Sequence, residues 1–124
     1  MIVIESMNYF GLTVSNLEKS IKFYKNLFDF EIIDQISNSG QAILKIGDIR
    51  ICLSEVEDYK NQNDSKSVVS FYVDEEDFED ALDELDKSEV EIVYGPENIK
   101  NGKKVILIDP DNNKIELSYP KFEG

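Results

Sequence analysis

Two stretches of this sequence end alike. Ile51-Cys52-Leu53-Ser54 is matched by Ile115-Glu116-Leu117-Ser118 at a spacing of 64, and Ile43-Leu44 by Ile106-Leu107 at a spacing of 63. The hydrophobic periods leading up to both follow one order: strand, helix, strand, strand, strand. A chain of 124 residues built this way reads as two βαβββ modules of about 62 residues each. Two independent full-sized domains do not fit this length. The length is one domain's worth, or two small modules sharing a core, and a chain this size buries enough surface for one, so the expectation is a single domain over 1–124. Within it the first module is expected at 7–54, a linker at 55–66 and the second module at 67–118.

The periods are specific enough to place each element. Asn8 to Val14 alternates, with Phe10, Leu12 and Val14 on one face and Tyr9, Gly11 and Thr13 on the other, as in a half-buried strand. Ser15-Asn16-Leu17-Glu18 matches a capping box, predicting a helix start with Ser15 as the cap. Leu17, Ile21, Tyr24 and Phe28 follow at helical spacing, widened by Phe23 and Leu27, and the helix is expected to end near Asp29. Strands are expected over Phe30 to Ile36, Gln41 to Ile46 and Ile49 to Ser54, with turns at Asn38-Ser39-Gly40 and Gly47-Asp48. In the linker, Asn61-Gln62-Asn63-Asp64-Ser65-Lys66 is the least structured run. Ser67 to Val73 reads as a strand, and Asp74 as the cap of a helix whose first turn, Glu75-Glu76-Asp77, suits the positive end of the dipole. Phe78, Ala81, Leu82 and Leu85 are its apolar stripe. The closing strands are Val90 to Tyr94, Lys104 to Ile108 and Lys114 to Ser118, divided by Gly95-Pro96, Asn101-Gly102 and Asp109-Pro110-Asp111-Asn112-Asn113.

Charge narrows the partners. The 26 acidic and 13 basic residues leave a net charge of -13, which repels phosphate backbones and anionic lipid headgroups, so neither nucleic acid nor membrane is expected as a partner. The acidic stretch from Asp74 to Asp86 reads as a solvated helix face. A single cysteine, Cys52, excludes an internal disulfide and fits a reducing compartment. The first residues show no basic segment followed by an apolar run, and nowhere do eighteen apolar residues stand together, so the chain is expected in the cytoplasm. The chain contains no histidine. Ser-His-Asp and Cys-His machinery are therefore excluded, as is any zinc or iron site requiring imidazole. Carboxylates, tyrosines, lysines and one thiol remain to do chemistry.

Two segments carry a family resemblance. Gly11-Leu12-Thr13-Val14-Ser15-Asn16-Leu17-Glu18-Lys19-Ser20 with Phe23-Tyr24-Lys25-Asn26-Leu27-Phe28-Asp29-Phe30, and Asp109-Pro110-Asp111-Asn112-Asn113-Lys114-Ile115-Glu116-Leu117, resemble the opening and closing motifs of the vicinal oxygen chelate superfamily. That group contains glyoxalases, bleomycin resistance proteins and extradiol dioxygenases. The resemblance implies an α+β fold in which two tandem βαβββ modules form a curled mixed sheet, cupped on one side and covered by helices on the other. Residue alternation independently assigns the apolar face to Phe10, Leu12, Val14, Ile49, Ile51, Leu53, Val69, Phe71, Val73, Ile115 and Leu117. The polar face takes Tyr9, Gly11, Thr13, Arg50, Cys52, Ser54, Val68, Ser70, Tyr72, Lys114, Glu116 and Ser118.

Metal-dependent members of the family set two histidines and carboxylate or amide side chains in the cup. The resemblance puts the histidine positions at Tyr9 and Val68, the glutamate at Glu116 and its first-half counterpart at Cys52, so only Glu116 keeps a family donor. The expectation is therefore a metal-free small-molecule-binding protein of the bleomycin-resistance, antibiotic-resistance type, with no cofactor. It would sequester a cationic or planar ligand using Tyr9, Thr13, Arg50, Cys52, Ser54, Ser70, Tyr72 and Glu116. The alternative is a lyase, isomerase or dioxygenase-like enzyme with Glu116 as catalytic general base or single carboxylate ligand. A non-catalytic partner module is a third reading. Each candidate also has a plain structural role: Glu116 as a surface residue paired with Arg50 or Lys114, Cys52 as an inert thiol, and Tyr9 and Tyr72 as cover for the sheet. A homodimer is expected, because sheet edges need cover and the family often builds its cups between chains.

Overall fold

The computed structural model describes residues 1–36, 38–59, 61 and 66–123. Of the expected linker, residues 60 and 62–65 lie outside the described residues. Ten elements follow in order: β1 (Phe10–Val14), α1 (Leu17–Phe28), β2 (Glu31–Ile36), β3 (Gln41–Ile46), β4 (Ile49–Glu55), β5 (Val69–Tyr72), α2 (Glu75–Lys87), β6 (Ile92–Ile99), β7 (Gly102–Ile108) and β8 (Lys114–Tyr119). They form two compact units, Met1–Lys60 and Asn61–Gly124. Each is a βαβββ unit with a mixed four-stranded sheet, ordered β1-β4-β3-β2 in the first and β5-β8-β7-β6 in the second. In both, the opening strand lies parallel to the last and the other neighbours are antiparallel, because a helical crossover precedes two hairpins.

In the first unit, α1 lies on β3 and β4. Leu17, Ile21 and Tyr24 meet Ala42, Leu44, Ile51 and Leu53 there, all buried. Tyr24 stands edge-on to Phe23 at 5.0 Å and to Phe30 at 6.2 Å, so the aromatic run of the sequence becomes one edge-to-face cluster. In the second unit the buried set is Phe78 and Leu85 with Val105, Leu107, Ile115 and Leu117, and Phe78 packs edge-on against Tyr119 at 5.2 Å. Ala81 and Leu82 are only half-buried, so the stripe of α2 is narrower than its spacing predicts.

Four local expectations are corrected. The cap of α1 is Asn16 rather than Ser15: its side chain accepts from the Lys19 amide at 3.0 Å. The Leu17 amide is taken instead by Glu55 Oε2 at 2.7 Å, from the end of β4. β6 does not stop at Tyr94 but runs through Gly95-Pro96 to Ile99, absorbing those residues in a register shift between Tyr94 and Glu97. Ile49, assigned to the apolar face, is 39% exposed at the mouth of the β3–β4 hairpin. Finally, β1 starts at Phe10 and β5 at Val69, so Tyr9 and Val68 precede their strands and are exposed.

Candidate functional site

Strand register determines which side chains share a face, because partners directly across a ladder point the same way. In the second sheet, Ser70, Glu116, Ile106 and Tyr94 stand in one row, and Tyr72, Ser118, Lys104 and Glu97 in the next. Both rows lie on the face opposite buried Val105, Leu107, Ile115 and Leu117. This is the polar face that alternation assigns to Ser70, Tyr72, Glu116 and Ser118. Those four side chains, with Ile99, Lys100 and Lys121, line an open cavity of about 740 Å³.

Glu116 is oriented rather than loose. The Ser70 hydroxyl donates to its Oε1 at 2.7 Å, a charge-assisted bond between β5 and β8. Next to it, the Tyr72 hydroxyl donates to Asp74 Oδ2 at 3.3 Å, while Asp74 Oδ1 accepts the Glu76 amide that opens α2. Desolvation on the sheet, then the charge and hydrogen bond of Asp74 and the charge of Asp77, raise the Tyr72 phenol above its ordinary value. Across the sheet, the Tyr94 hydroxyl donates to Glu97, and Lys104 Nζ sits 5.2 Å from the centre of its ring. That hydrogen bond, followed by desolvation and the Glu97 charge, raises the Tyr94 phenol as well. Both tyrosines are therefore proton-bearing donors at neutral pH. Tyr94, Glu97 and Lys104 are not marked as a cluster by sequence, because Gly95-Pro96 has the pattern of a turn that would end the strand at Tyr94. The alternation from Glu116 through Ile106 to Tyr94 was the available signal.

The first sheet carries the remaining candidates. Thr13, Ser54 and Gln41 form one row and Gly11, Cys52 and Ile43 another. Gln41 Nε2 donates to Ser54 Oγ at 3.0 Å, and the Cys52 sulfur lies 3.9 Å from that oxygen. Cys52 is buried, so its thiol is not presented to solvent. Arg50 stands in a third row with Lys45 and Glu31. Tyr9, at 47% exposed, precedes the sheet. Of the eight expected ligand contacts, Ser70, Tyr72 and Glu116 lie on the second unit and Thr13, Arg50, Cys52 and Ser54 on the strands of the first, where Tyr9 immediately precedes β1.

Comparison with known proteins places these features. The family model of the glyoxalase/bleomycin resistance protein/dioxygenase superfamily matches residues 6–117. A metallothiol transferase FosB of Staphylococcus epidermidis is 35% identical over 117 residues, covering 92% of this chain and 81% of that protein. A glutathione transferase FosA of Serratia marcescens is 34% identical over 118 residues, covering 93% and 81%. Among solved structures, the fosfomycin resistance protein FosX of Listeria monocytogenes, complexed with Mn(II) and sulfate, superimposes with a TM-score of 0.85 at 21% identity. It covers 97% of this chain and 94% of its own, a likeness of fold.

These relatives overturn the expectation of a metal-free sequestering protein. The two curated relatives that match across most of the chain are named as transferases, a metallothiol transferase and a glutathione transferase, and not as drug-binding proteins. The name of the first implies a metal, and the donors of this chain bear on whether it could be held. Tyr9 and Val68 stand where the family resemblance puts imidazoles, Val68 has no donor atom, and Glu116 Oε1 already accepts from Ser70. Among the described residues no group of three His, Cys, Asp or Glu side chains gathers as ligands. The family's imidazole-based set does not fit these residues.

Proposed function

We propose, from the premise that this chain belongs to the glyoxalase/bleomycin resistance protein/dioxygenase superfamily, that it is an enzyme of the fosfomycin-resistance type, transferring a thiol to a small electrophilic acceptor. The observation that carries this reading is the 35% identity to a metallothiol transferase, extending over 92% of the chain. The cavity on the second sheet supports it with a suitable group. Glu116 is held by Ser70 on one oxygen, leaving the other to accept a proton from the incoming thiol as sulfur bonds to carbon. Lys100 and Lys121 border the same cavity and oppose negative charge developing on the acceptor. The acceptor's carbon–oxygen bond breaks as the sulfur–carbon bond forms, and the proton taken up by Glu116 passes to the departing oxygen, while Tyr72, its phenol proton held by Asp74, lines the cavity beside it.

The partners are small molecules, and we place the enzyme in the cytoplasm as a homodimer. A lone cysteine supports the first assignment, and among the described residues no helix is long and apolar enough to cross a membrane. The dimer is supported by exposed Ile32, Ile33 and Ile36 on β2 and Ile92 and Val93 on β6, both edge strands.

The test is incubation of the full chain with fosfomycin and a thiol, glutathione among them, in the presence of chelator or of Mn(II), with products read by mass spectrometry. A thiol conjugate is expected that Glu116→Gln reduces by about 100-fold or more, the scale of a lost general base. Absence of conjugate with every thiol under both conditions would reject the reading.

A further inference from the structure

The third row of the first sheet holds an arrangement that a folded chain ordinarily avoids. Lys45 and Arg50 are direct partners across the β3–β4 ladder, so their side chains leave the same face side by side. Like charges placed so are destabilising. Neither is free to swing fully into water, since both are half-buried. The register is not adjustable either: the Gly47-Asp48 turn, with Gly47 at φ +55, closes the hairpin on Ile46 and Ile49, one residue before the pair.

One carboxylate answers two cations in this row. Glu31, across from Lys45 on β2, is the carboxylate of the row, yet neither cation makes an ion pair within 4.0 Å among the described residues. This is in a chain with twice as many acidic as basic residues, where carboxylates are abundant. Two half-buried, facing cations with one carboxylate in their row and no ion pair among the described residues leave a site for an oxyanion: a guanidinium fork and an ammonium can each donate to one phosphonate or carboxylate group.

We propose that Lys45 and Arg50 bind the oxyanion of a small ligand, a phosphonate or a carboxylate, on the face of the first sheet that also carries Thr13 and Ser54. The proposal does not depend on the transfer activity, because it rests on the pairing of two residues outside the Glu116 cavity.

Isothermal titration of the full chain separates the two sources. Methylphosphonate stands for a phosphonate, glutathione for the carboxylates of a thiol, and sodium chloride at matched ionic strength for screening alone. Saturable binding of methylphosphonate or glutathione is expected, weakened about tenfold or more by Arg50→Met and by Lys45→Met. The tighter probe identifies the source. In chloride buffer each variant should match or exceed the parent in urea midpoint, because one of two facing charges is gone. No saturable binding of either probe, binding that both variants retain, or a midpoint that falls in both variants overturns the proposal. Since no probe needs turnover, a failed conjugation assay leaves this result interpretable.

Discussion

Tyr94 shows how much one side chain changes once its neighbours are known. In sequence it is the last residue of a short apolar strand. In the fold its hydroxyl is bound to Glu97 and its ring faces the Lys104 ammonium. Its raised pKa sets the sign of a pH effect: the folded state holds the proton more tightly than the unfolded one. That contribution is complete below the ordinary tyrosine value, near 10, and is lost as pH rises through the raised value. Tyr94→Phe should therefore flatten the alkaline fall of Tm and leave the profile around pH 7 parallel to the parent, as read by calorimetry across the range. Glu55 is the second case. Nothing in its surroundings in sequence marks it as a cap, because the amide it accepts belongs to Leu17, 38 residues earlier. Glu55→Ala should cost about 1 kcal/mol, the ordinary worth of an N-terminal cap, in urea unfolding. A capping box is a local pattern, and Asn16 and Glu55 displaced Ser15 because the tertiary neighbour supplied a carboxylate that local spacing did not contain.

At the level of elements, the periods were a sound guide to where strands and helices lie and a weaker one to where they stop. The stripe of α2 illustrates the limit. Phe78 and Leu85 are each 1% exposed, whereas Ala81 and Leu82 at equally good helical spacing are half-buried. The weight of the element therefore falls on Phe78, which also packs on Tyr119. Phe78→Ala should destabilise by about 3–5 kcal/mol by leaving a cavity, while Leu82→Ala should cost clearly less; denaturant midpoints of the two variants decide it. The boundary of β6 failed for a different reason. Gly-Pro ordinarily ends a strand, but Gly95, at φ +82, lets the chain bulge and then rejoin β7 at Glu97. Packing is just as close where β7 begins, since a Cβ on Gly102 would lie 1.9 Å from the Tyr119 carbonyl oxygen. Any side chain there would push β7 away from β8, which carries Glu116 and Ser118.

For the molecule as a whole, edge strands and charge make opposing demands. β2 and β6 expose isoleucines and valine that favour association, whereas a net charge of -13 opposes it through self-repulsion. A homodimer should give a light-scattering mass of about twice 14.2 kDa, with the dimer strengthening as salt rises from low to about 0.15 M and screens that repulsion; a particle of single-chain mass at both salts would refute it. The repeat, the order of ten elements, the superfamily and the polar face of Ser70, Tyr72, Glu116 and Ser118 were all legible in the residues, because alternation and helical spacing are local properties that burial later enforces. What the residues could not reveal was which of those polar groups meet. The Ser70 to Glu116 bond, the Tyr94, Glu97 and Lys104 cluster, and the facing Lys45 and Arg50 pair all join positions on different strands. Their meeting is determined by register, and register is settled only when every strand finds its partner at once.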